Sequence, residues 1–153
     1  MIDTIYIRQI GYNSTEYEEM VQLRYSVLRA PLGLAFTGND LQKDENDYLI
    51  GVYLSENDTI VGCCILTSLT SDTVQLRQMA ISENYQRVGI GSKLIKHAEE
   101  MAKNKGYIYI YLHARRVAVD FYIRYGYKIE GDEFSEVGIS HFEMTKKIGL
   151  KLL

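Results

Sequence analysis

The segment at residues 86–92 constrains the fold and function of this chain more than any other part of the sequence. It reads Gln-Arg-Val-Gly-Ile-Gly-Ser and joins a strand-like run that ends near Ile81 to a helix-like run that begins near Lys93. Gly89 and Gly91 have no side chains, so the backbone can turn sharply there and approach a ligand closely. The free N–H groups at the start of the following helix, and the positive end of its dipole, favour an anion. We therefore expect this loop to bind a phosphate group.

Two well-known phosphate-binding motifs do not fit this loop. The dinucleotide fingerprint requires a third glycine three residues after the second, where this chain has Leu94. A P-loop ends in Gly-Lys followed by Ser or Thr, and residues 86–92 do not contain that sequence. A turn without any ligand remains the alternative, because glycine is common in turns that need a positive φ.

The composition predicts a single globular domain that spans residues 1–153. The chain has 17 basic and 20 acidic side chains and a formal net charge of −3, so we do not expect nucleic acid as a partner. No apolar run approaches the roughly 20 residues that span a bilayer, so we expect no membrane role. Cys63 and Cys64 are adjacent in an apolar run, which favours buried thiols in a reducing cytoplasm; a vicinal redox pair is the alternative.

Alternating apolar residues and β-branched residues predict most of the strands. The predicted strands are Ile5–Ile10, Tyr48–Leu54, 59–69, Thr73–Ile81, 107–113 and 139–145. The first strand is followed by a helix, for which Thr15 and Glu18 form a capping-box pattern. A second helix follows the glycine loop and is expected to end at Gly106.

The strand Thr73–Ile81 contains a change of alternation. Val74 and Leu76 share one parity, whereas Met79 and Ile81 have the other. A slip of one residue reverses which face of a strand points inward, and a β-bulge near Arg77 or Gln78 would produce it.

The order of elements predicts a parallel strand pair. The strand Thr73–Ile81 is followed by the helix after the glycine loop and then by the strand at 107–113, which predicts a right-handed crossover between two parallel strands. A ligand should bind where the carboxyl ends of those two strands open.

The second segment with chemical character is an aromatic stripe on a short helix. Ala118, Phe121, Tyr122 and Tyr125 have the spacing of one helical face, and Gly126 ends the helix. Alone, such a stripe is typical of a protein core. Together with Gln-x-x-Gly-x-Gly in the loop, however, the pattern Phe-Tyr-x-x-x-Gly-Tyr resembles the GNAT superfamily of acetyl-CoA-dependent N-acetyltransferases. The likeness extends over essentially the whole chain.

The resemblance implies the GNAT acyl-CoA N-acyltransferase fold, in the α/β class with an α+β mixed sheet. Such a sheet is mostly antiparallel, has one parallel strand pair splayed to hold the cofactor, and is flanked by about four helices. Residues 138–141 (Gly-Ile-Ser-His) and Met144 are also similar to the ElaA-like branch, in which a Gly-Ile-Pro-His segment precedes a Met.

The resemblance further implies a site for acetyl-CoA as co-substrate, without a metal. The residues that match the family's cofactor site are Met79, Ala80, Ile81, Gln86, Arg87, Val88, Gly89, Ile90, Gly91, Ser92, Phe121 and Tyr125. Backbone groups of the first three would bind the pantetheine arm, the loop would bind the pyrophosphate, and the two aromatic side chains would flank the cofactor. Tyr122 matches the tyrosine that commonly protonates the sulfur of coenzyme A.

The general base is less clearly indicated by the family pattern. Many GNAT enzymes have a glutamate on the bulged strand, where this chain has Arg77 and Gln78. His113, at the end of the central parallel strand, and His141, on the polar face of a late strand, are the candidates with a suitable ordinary pKa. Deprotonation through water and a purely structural role for either histidine remain open.

The acceptor implied by the family is a primary amine, here expected on a small molecule, which would attack the thioester directly in a ternary complex. Arg24 and Arg29 lie in the first helix, which helps to wall the acceptor site in this fold. One of them would hold an acidic group of the acceptor, unless both are solvated or paired with acids. Two alternatives stay open: an acyl-CoA-binding sensor without acetyl transfer, and a protein that binds another nucleotide. Assembly into a homodimer is a separate open point.

Overall fold

The computed structural model describes residues 4–150, which form a seven-stranded sheet with helices on both faces. The strands are β1 Ile5–Ile10, β2 Tyr48–Leu54, β3 Ile60–Ser68, β4 Thr73–Ile81, β5 Tyr109–Arg115, β6 Lys128–Glu136 and β7 Ile139–Lys147. The α-helices are α1 Thr15–Arg24, α2 Gly38–Gln42, α3 Ile90–Asn104 and α4 Val119–Arg124. A π-helical turn, Tyr25–Arg29, continues α1.

The strand order across the sheet is β1-β2-β3-β4-β5-β7-β6. The pair β4–β5 is parallel, and the other neighbouring pairs in residues 4–150 are antiparallel. Helix α3 connects the two parallel strands, as such a pair requires. The predicted fold class, a mostly antiparallel mixed sheet with one parallel pair, is therefore confirmed.

Strand β4 contains the predicted bulge. Cys63 on β3 pairs with Ala80 and Ile65 pairs with Arg77, so that two residues of β4 lie opposite one residue of β3. Gln78, inside the bulge, has a φ of +54°, which is rare for a residue with a side chain. The bulge turns the end of β4 relative to its neighbours, as the parity change in the sequence indicated.

Two apolar clusters lie on opposite faces of the sheet. The apolar stripe of α3, which includes Leu94, Ile95 and Ala98, packs with β2 to β5 and β7 in the larger cluster. Helix α1 covers the other face with Met20 and Leu23. The packing of α3 on the sheet therefore holds the glycine loop, which precedes this helix, at one end of the sheet.

Several boundaries and one cap differ from the sequence predictions. Strand β3 spans Ile60–Ser68 instead of 59–69, and β7 ends at Lys147 instead of 145. The cap of α1 is Ser14, whose hydroxyl accepts from the N–H of Tyr17 at 3.1 Å, so the Thr15–Glu18 capping box is wrong. Helix α3 begins at Ile90, three residues earlier than expected, because Gly89 serves as its N-cap. Strand β5 runs over Tyr109–Arg115 instead of 107–113, since β4 pairs with it from Tyr109 onward.

Within residues 4–150, none of the helices is both long enough and apolar enough to cross a bilayer.

Candidate active site

The glycine loop has the backbone geometry that an anion-binding turn requires. Gly89 has a φ of +89° and Arg87 a φ of +66°, so the chain passes twice through the left-handed region before α3 begins. The N–H of Lys93 donates to the carbonyl of Gly89 at 3.3 Å in the first turn of the helix. The N–H groups that precede Lys93 in this turn have no intrahelical acceptor and are free for a ligand.

The loop is tied to the rest of the site through its two ends. Gln86 Nε2 donates to the carbonyl oxygen of Ile81 at 2.9 Å, which joins the loop to the end of β4. At the other end, the hydroxyl groups of Ser92 and Tyr125 contact each other and join α3 to the end of α4. The glycine loop therefore has a fixed position relative to β4 and α4.

A gap opens between β4 and β5 beside this loop. The parallel pairing extends from Thr73–Tyr109 only to Leu76–Leu112, although both strands continue further. The N–H of Ser82 donates to Val61 on β3 at 2.8 Å. Backbone groups of successive residues in a strand point to opposite neighbours, so those of Ile81 point away from β3. The carbonyl oxygen of Ile81 accepts there from Gln86 Nε2, which leaves its N–H for the gap. Met79 lies in the bulge, outside the pairing with β3. The gap therefore offers backbone groups of Met79 and the N–H of Ile81 to an extended ligand.

Helix α4 forms the opposite wall of this gap. A methyl group on Gly91 would lie 3.4 Å from Phe121 Cζ and 3.5 Å from Met79 Cε, so the start of α3, α4 and β4 meet here. The hydroxyl of Tyr122 donates to Met79 Sδ at 3.5 Å. Burial, and to a lesser degree the nearby Cys64 thiol, raises the pKa of Tyr122 well above its ordinary value, so its hydroxyl keeps its proton at neutral pH.

A cavity of about 320 Å³ lies at the open ends of β4 and β5. The predicted catalytic residues Tyr122, His113 and His141 all line it, as do the bulge residues Gln78 and Met79. The structure thus brings together three side chains that can carry protons and that come from β5, α4 and β7.

Hydrogen bonds distinguish the two histidines. Nδ1 of His141 lies 2.8 Å from the carbonyl oxygen of Ile139, and because a carbonyl only accepts, this nitrogen carries the proton. Neutral His141 then has its lone pair on Nε2, which lies 3.6 Å from Oε2 of Glu136. In His113 both ring nitrogens have partners: Nε2 contacts the Tyr111 hydroxyl at 2.9 Å and Nδ1 contacts Oε1 of Glu136 at 3.2 Å.

The two arginines predicted to bind the acceptor have different surroundings. Arg29 lines the cavity. Arg24 is 1% exposed, and its Nη1 lies 2.8 Å from Oδ2 of the buried Asp44. Arg24 is therefore not among the cavity residues, because Asp44 holds its guanidinium inside the protein.

Asp44 is the centre of a buried network that also holds the bulged strand. Arg77 Nη2 lies 2.8 Å from Oδ1 of Asp44 and 2.8 Å from Oδ2 of Asp47. The hydroxyl of Tyr17 donates to Oδ2 of Asp44 at 2.7 Å. The network thus joins β4, at the position where the family often has a glutamate, to α1.

Sequence reasoning did not identify Glu136 and Arg115, which also line the cavity. Arg115 could have been found, because it lies two residues after His113 and alternate residues of a strand share a face. Glu136 follows a loop-like run without a recognisable pattern, and only the pairing of β6 with β7 brings it to the histidines.

The comparisons with known proteins assign this fold and site to a family. The family described as the acetyltransferase (GNAT) domain matches residues 37–148, and the chain belongs to it. The Bacillus subtilis protein YyaT is 36% identical over 80 residues, which are 52% of this chain and 54% of that protein. The Xenopus tropicalis protein named Probable N-acetyltransferase 14 is 34% identical over 108 residues, 64% of this chain and 52% of its own length. The chain thus spans about half the length of these two relatives.

Solved structures share the fold over almost the whole chain. An acyl-CoA N-acyltransferase from Pseudomonas aeruginosa has a TM-score of 0.80 at 18% identity. The superposition covers 94% of this chain and 99% of that protein's chain. Escherichia coli ElaA has a TM-score of 0.78 at 19% identity, with 94% and 100% covered. A GNAT family acetyltransferase from Elizabethkingia anophelis, with acetyl-CoA bound, has a TM-score of 0.73 at 21% identity, with 95% and 99% covered. At these identities the likeness shows the fold, and the ElaA-like branch stays a prediction.

Proposed function

We propose that this protein is an acetyl-CoA-dependent N-acetyltransferase that transfers the acetyl group directly to a primary amine of a small molecule in a ternary complex. The observation that carries this proposal is the gap between β4 and β5, which joins the glycine loop at one end to the cavity with Tyr122 and the histidines at the other. Membership of the GNAT acetyltransferase family supports the same activity.

Residues of the gap fit the parts of acetyl-CoA. The N–H groups of Arg87 to Ser92 would bind the pyrophosphate, because they lie at a helix N-terminus and because the space beside Gly89 is open. Apart from its chain neighbours, no described residue comes within 4 Å of the place where a Cβ on Gly89 would be. The backbone groups of Met79 and Ile81 would bind the pantetheine arm, and Phe121 and Tyr125 would flank it. When bound, acetyl-CoA supplies the activated acetyl thioester.

Tyr122 has the properties of a general acid. Its hydroxyl keeps its proton at neutral pH, and its partner Met79 Sδ is a weak acceptor that does not compete strongly for that proton. We assign to Tyr122 the role of proton donor to the leaving sulfur. A backbone N–H of the bulged strand, at Met79 or Ile81, would stabilise the developing negative charge on the carbonyl oxygen.

His141 has the better geometry for a general base. Its Nδ1–H donates to a carbonyl, and Glu136 Oε2 lies 3.6 Å from Nε2, beyond hydrogen-bond distance, so the lone pair of Nε2 can accept the proton of the amine. His113, with partners on both ring nitrogens, would position Glu136 and through it His141. We therefore assign the base to His141 and a positioning role to His113.

The remaining proposals concern the acceptor, the cellular location and the domain organisation. A cavity of about 320 Å³ accommodates a small amine, which supports a small-molecule acceptor. Two free, buried cysteines support a location in the reducing cytoplasm. We further propose that residues 1–153 form one GNAT domain, which acts without a nucleic-acid or membrane partner.

The proposed function is tested by the release of free thiol from acetyl-CoA. The purified protein is incubated with acetyl-CoA and with polyamines, amino sugars, aminoacyl compounds or peptides. We expect turnover with small amines and none with peptides. Acetyl-CoA binding without turnover of any amine would identify a sensor of acyl-CoA instead. A protein that neither binds acetyl-CoA nor releases thiol would contradict the proposal.

A further inference from the structure

Two cationic side chains converge on the wall of the cavity from separate elements. Arg29 ends the π-helical turn after α1, and Arg115 ends β5. Arg29 Nη1 donates to the carbonyl oxygen of Leu28 at 3.2 Å, and Arg115 Nη2 donates to the same oxygen at 3.1 Å. A shared acceptor places the two guanidinium groups side by side, with further N–H groups left over on each.

The two charges are not neutralised by the protein in the way that other arginines of the site are. Among residues 4–150, no carboxylate oxygen lies within 4.0 Å of Arg29 or Arg115, whereas Arg24 and Arg77 each pair with Asp44 at 2.8 Å. Burial and the neighbouring Arg115 lower the pKa of Arg29, and burial lowers the pKa of Arg115. Glu136, which lines the same cavity, opposes this lowering of the pKa for both arginines without contacting either of them directly. Two partly buried cations of like sign still destabilise each other, and an anion bound between them relieves this repulsion.

The guanidinium of Arg29 also lies over an aromatic ring. Its Cζ lies 4.7 Å from the centre of the Phe36 ring, and Arg24 Cζ lies 4.7 Å from the same ring. Cation–π contact of this kind restrains a long side chain that otherwise has many rotamers. A restrained pair of guanidinium groups matches the planar, bidentate geometry of a carboxylate or the oxygens of a phosphate.

The pair lies next to the proposed base. Arg115 on β5 is directly opposite His141 on β7, and His113 lies two residues before Arg115 on the same strand face. Side chains directly opposite in an antiparallel pair have Cβ atoms about 5 Å apart. An acceptor whose anionic group binds Arg115 therefore needs only a short chain between that group and its amine to place the amine at His141.

From these contacts we infer that Arg29 and Arg115 form the binding site for an anionic group of the acceptor, so that the acceptor is a short amine carrying a carboxylate or a phosphate. This inference rests on the proposed acetyl transfer and adds the class of substrate to it. Neutral amines and polyamines lack the group that these arginines bind, so they are poor acceptors.

The test compares amines that differ only in the anionic group. The two matched pairs are 4-aminobutyrate with 4-aminobutanamide, and 2-aminoethyl phosphate with ethanolamine. At saturating acetyl-CoA, we expect the anionic member of a pair to have the higher kcat/KM, by about ten- to a hundredfold, as for hydrogen bonds to a charged group. The pair that shows this preference identifies carboxylate or phosphate as the recognised group.

Variants then attribute the preference to the two arginines. Arg29→Gln and Arg115→Gln should raise KM for the anionic amine about tenfold or more and leave KM for acetyl-CoA unchanged. Arg115→Lys, which keeps the charge, should restore part of the loss. Arg116→Gln is the matched control, because Arg116 is the next residue in the chain, and its highly exposed side chain only contacts Glu133 at 3.8 Å.

Binding of butyrate, an unreactive anion, provides a second readout that does not need turnover. The protein saturated with coenzyme A should bind butyrate in the wild-type form and more weakly in Arg115→Gln. Equal use of charged and neutral amines in both pairs would overturn the anion site while leaving acetyl transfer in place. Where the carboxylate pair shows the preference, butyrate binding that is absent or equal in wild type and Arg115→Gln would overturn it as well. Failure to bind acetyl-CoA would instead contradict the proposed function itself.

Discussion

The hydroxyl of Tyr122 on α4 lies 3.5 Å from the sulfur of Met79 on β4, across the gap that separates the bulged strand from its parallel neighbour. The proposed proton donor is thus held against the strand whose backbone faces that gap. Burial raises the pKa of Tyr122, so the proton that it would donate is present throughout the neutral range. This contact links the cofactor groove to the chemistry proposed in the cavity.

Replacement of Tyr122 by Phe removes that proton. We expect kcat to fall about a hundredfold, the usual contribution of a positioned general acid, while KM for acetyl-CoA changes little. Tyr127→Phe is the control, because Tyr127 packs 5.6 Å from the Tyr122 ring but directs its hydroxyl to Glu99 at 2.8 Å. Steady-state kinetics measures both variants, and an equal loss of kcat in the two would contradict the acid role.

The assignment of the base is tested with glutamine at each histidine. His141→Gln should lower kcat by about a hundredfold, because the proton acceptor is gone. His113→Gln should lower kcat by less, since its two ring nitrogens already have partners. A greater loss in His113→Gln would assign the base to His113, and small losses in both would assign it to water.

The cofactor loop offers a pair of glycine substitutions that separate binding from folding. A methyl group at Gly91 would have ordinary contacts with Phe121 and Met79, so Gly91→Ala should fold normally, yet it narrows the groove and should raise KM for acetyl-CoA. Gly89 has a φ of +89°, so Gly89→Ala should cost about 1–2 kcal/mol of stability. Urea denaturation and steady-state kinetics of both variants check this, and unchanged KM in Gly91→Ala would contradict the proposed groove.

Asp44 should be essential for stability. Asp44→Asn keeps the shape of the side chain but leaves the guanidinium groups of Arg24 and Arg77 without their shared partner, which we expect to lower the free energy of unfolding by about 3–5 kcal/mol. Glu16→Gln removes the exposed pair with Arg8 and should cost less than about 1 kcal/mol. Chemical denaturation measures both, and a cost near zero for Asp44→Asn would refute the network.

The buried thiol of Cys63 predicts a loss of stability at alkaline pH. Burial raises its pKa from near 9.0 to about 12. Between these values the unfolded chain loses a proton that the folded protein keeps, so the free energy of unfolding falls as pH rises, and it is independent of this group below pH 9. From pH 8 to pH 10, the free energy of unfolding of the wild type should fall by about 1 kcal/mol more than that of Cys63→Ala. Urea denaturation at the two pH values measures this difference. An equal fall in wild type and variant would contradict the raised pKa of Cys63.

Much of the fold could be predicted because it depends on local patterns. Strands β1, β2 and β4 have the predicted bounds, since alternation along a strand records which face is buried. The bulge was predicted from the parity change between Leu76 and Met79, for the same reason. The parallel pair followed from the order of strand, helix and strand.

The environment of Arg24 could not be predicted in this way. Its partner Asp44 lies in a short turn after α2, and only the packing of that turn against α1 buries the two charges together. Glu136 similarly depends on the hairpin of β6 and β7 for its contacts with the histidines. Such contacts between distant segments leave no periodic signal in the sequence.

Isothermal titration calorimetry with acetyl-CoA and with S-acetylpantetheine tests the central claim most directly. The glycine loop should bind the pyrophosphate and the gap between β4 and β5 should bind the pantetheine arm. We therefore expect acetyl-CoA to bind in a ratio of one molecule per chain, and S-acetylpantetheine, which lacks the pyrophosphate, to bind much more weakly. Equal affinities would show that the loop does not bind the pyrophosphate. No binding of acetyl-CoA to the folded protein would contradict both the cofactor site and the proposed function.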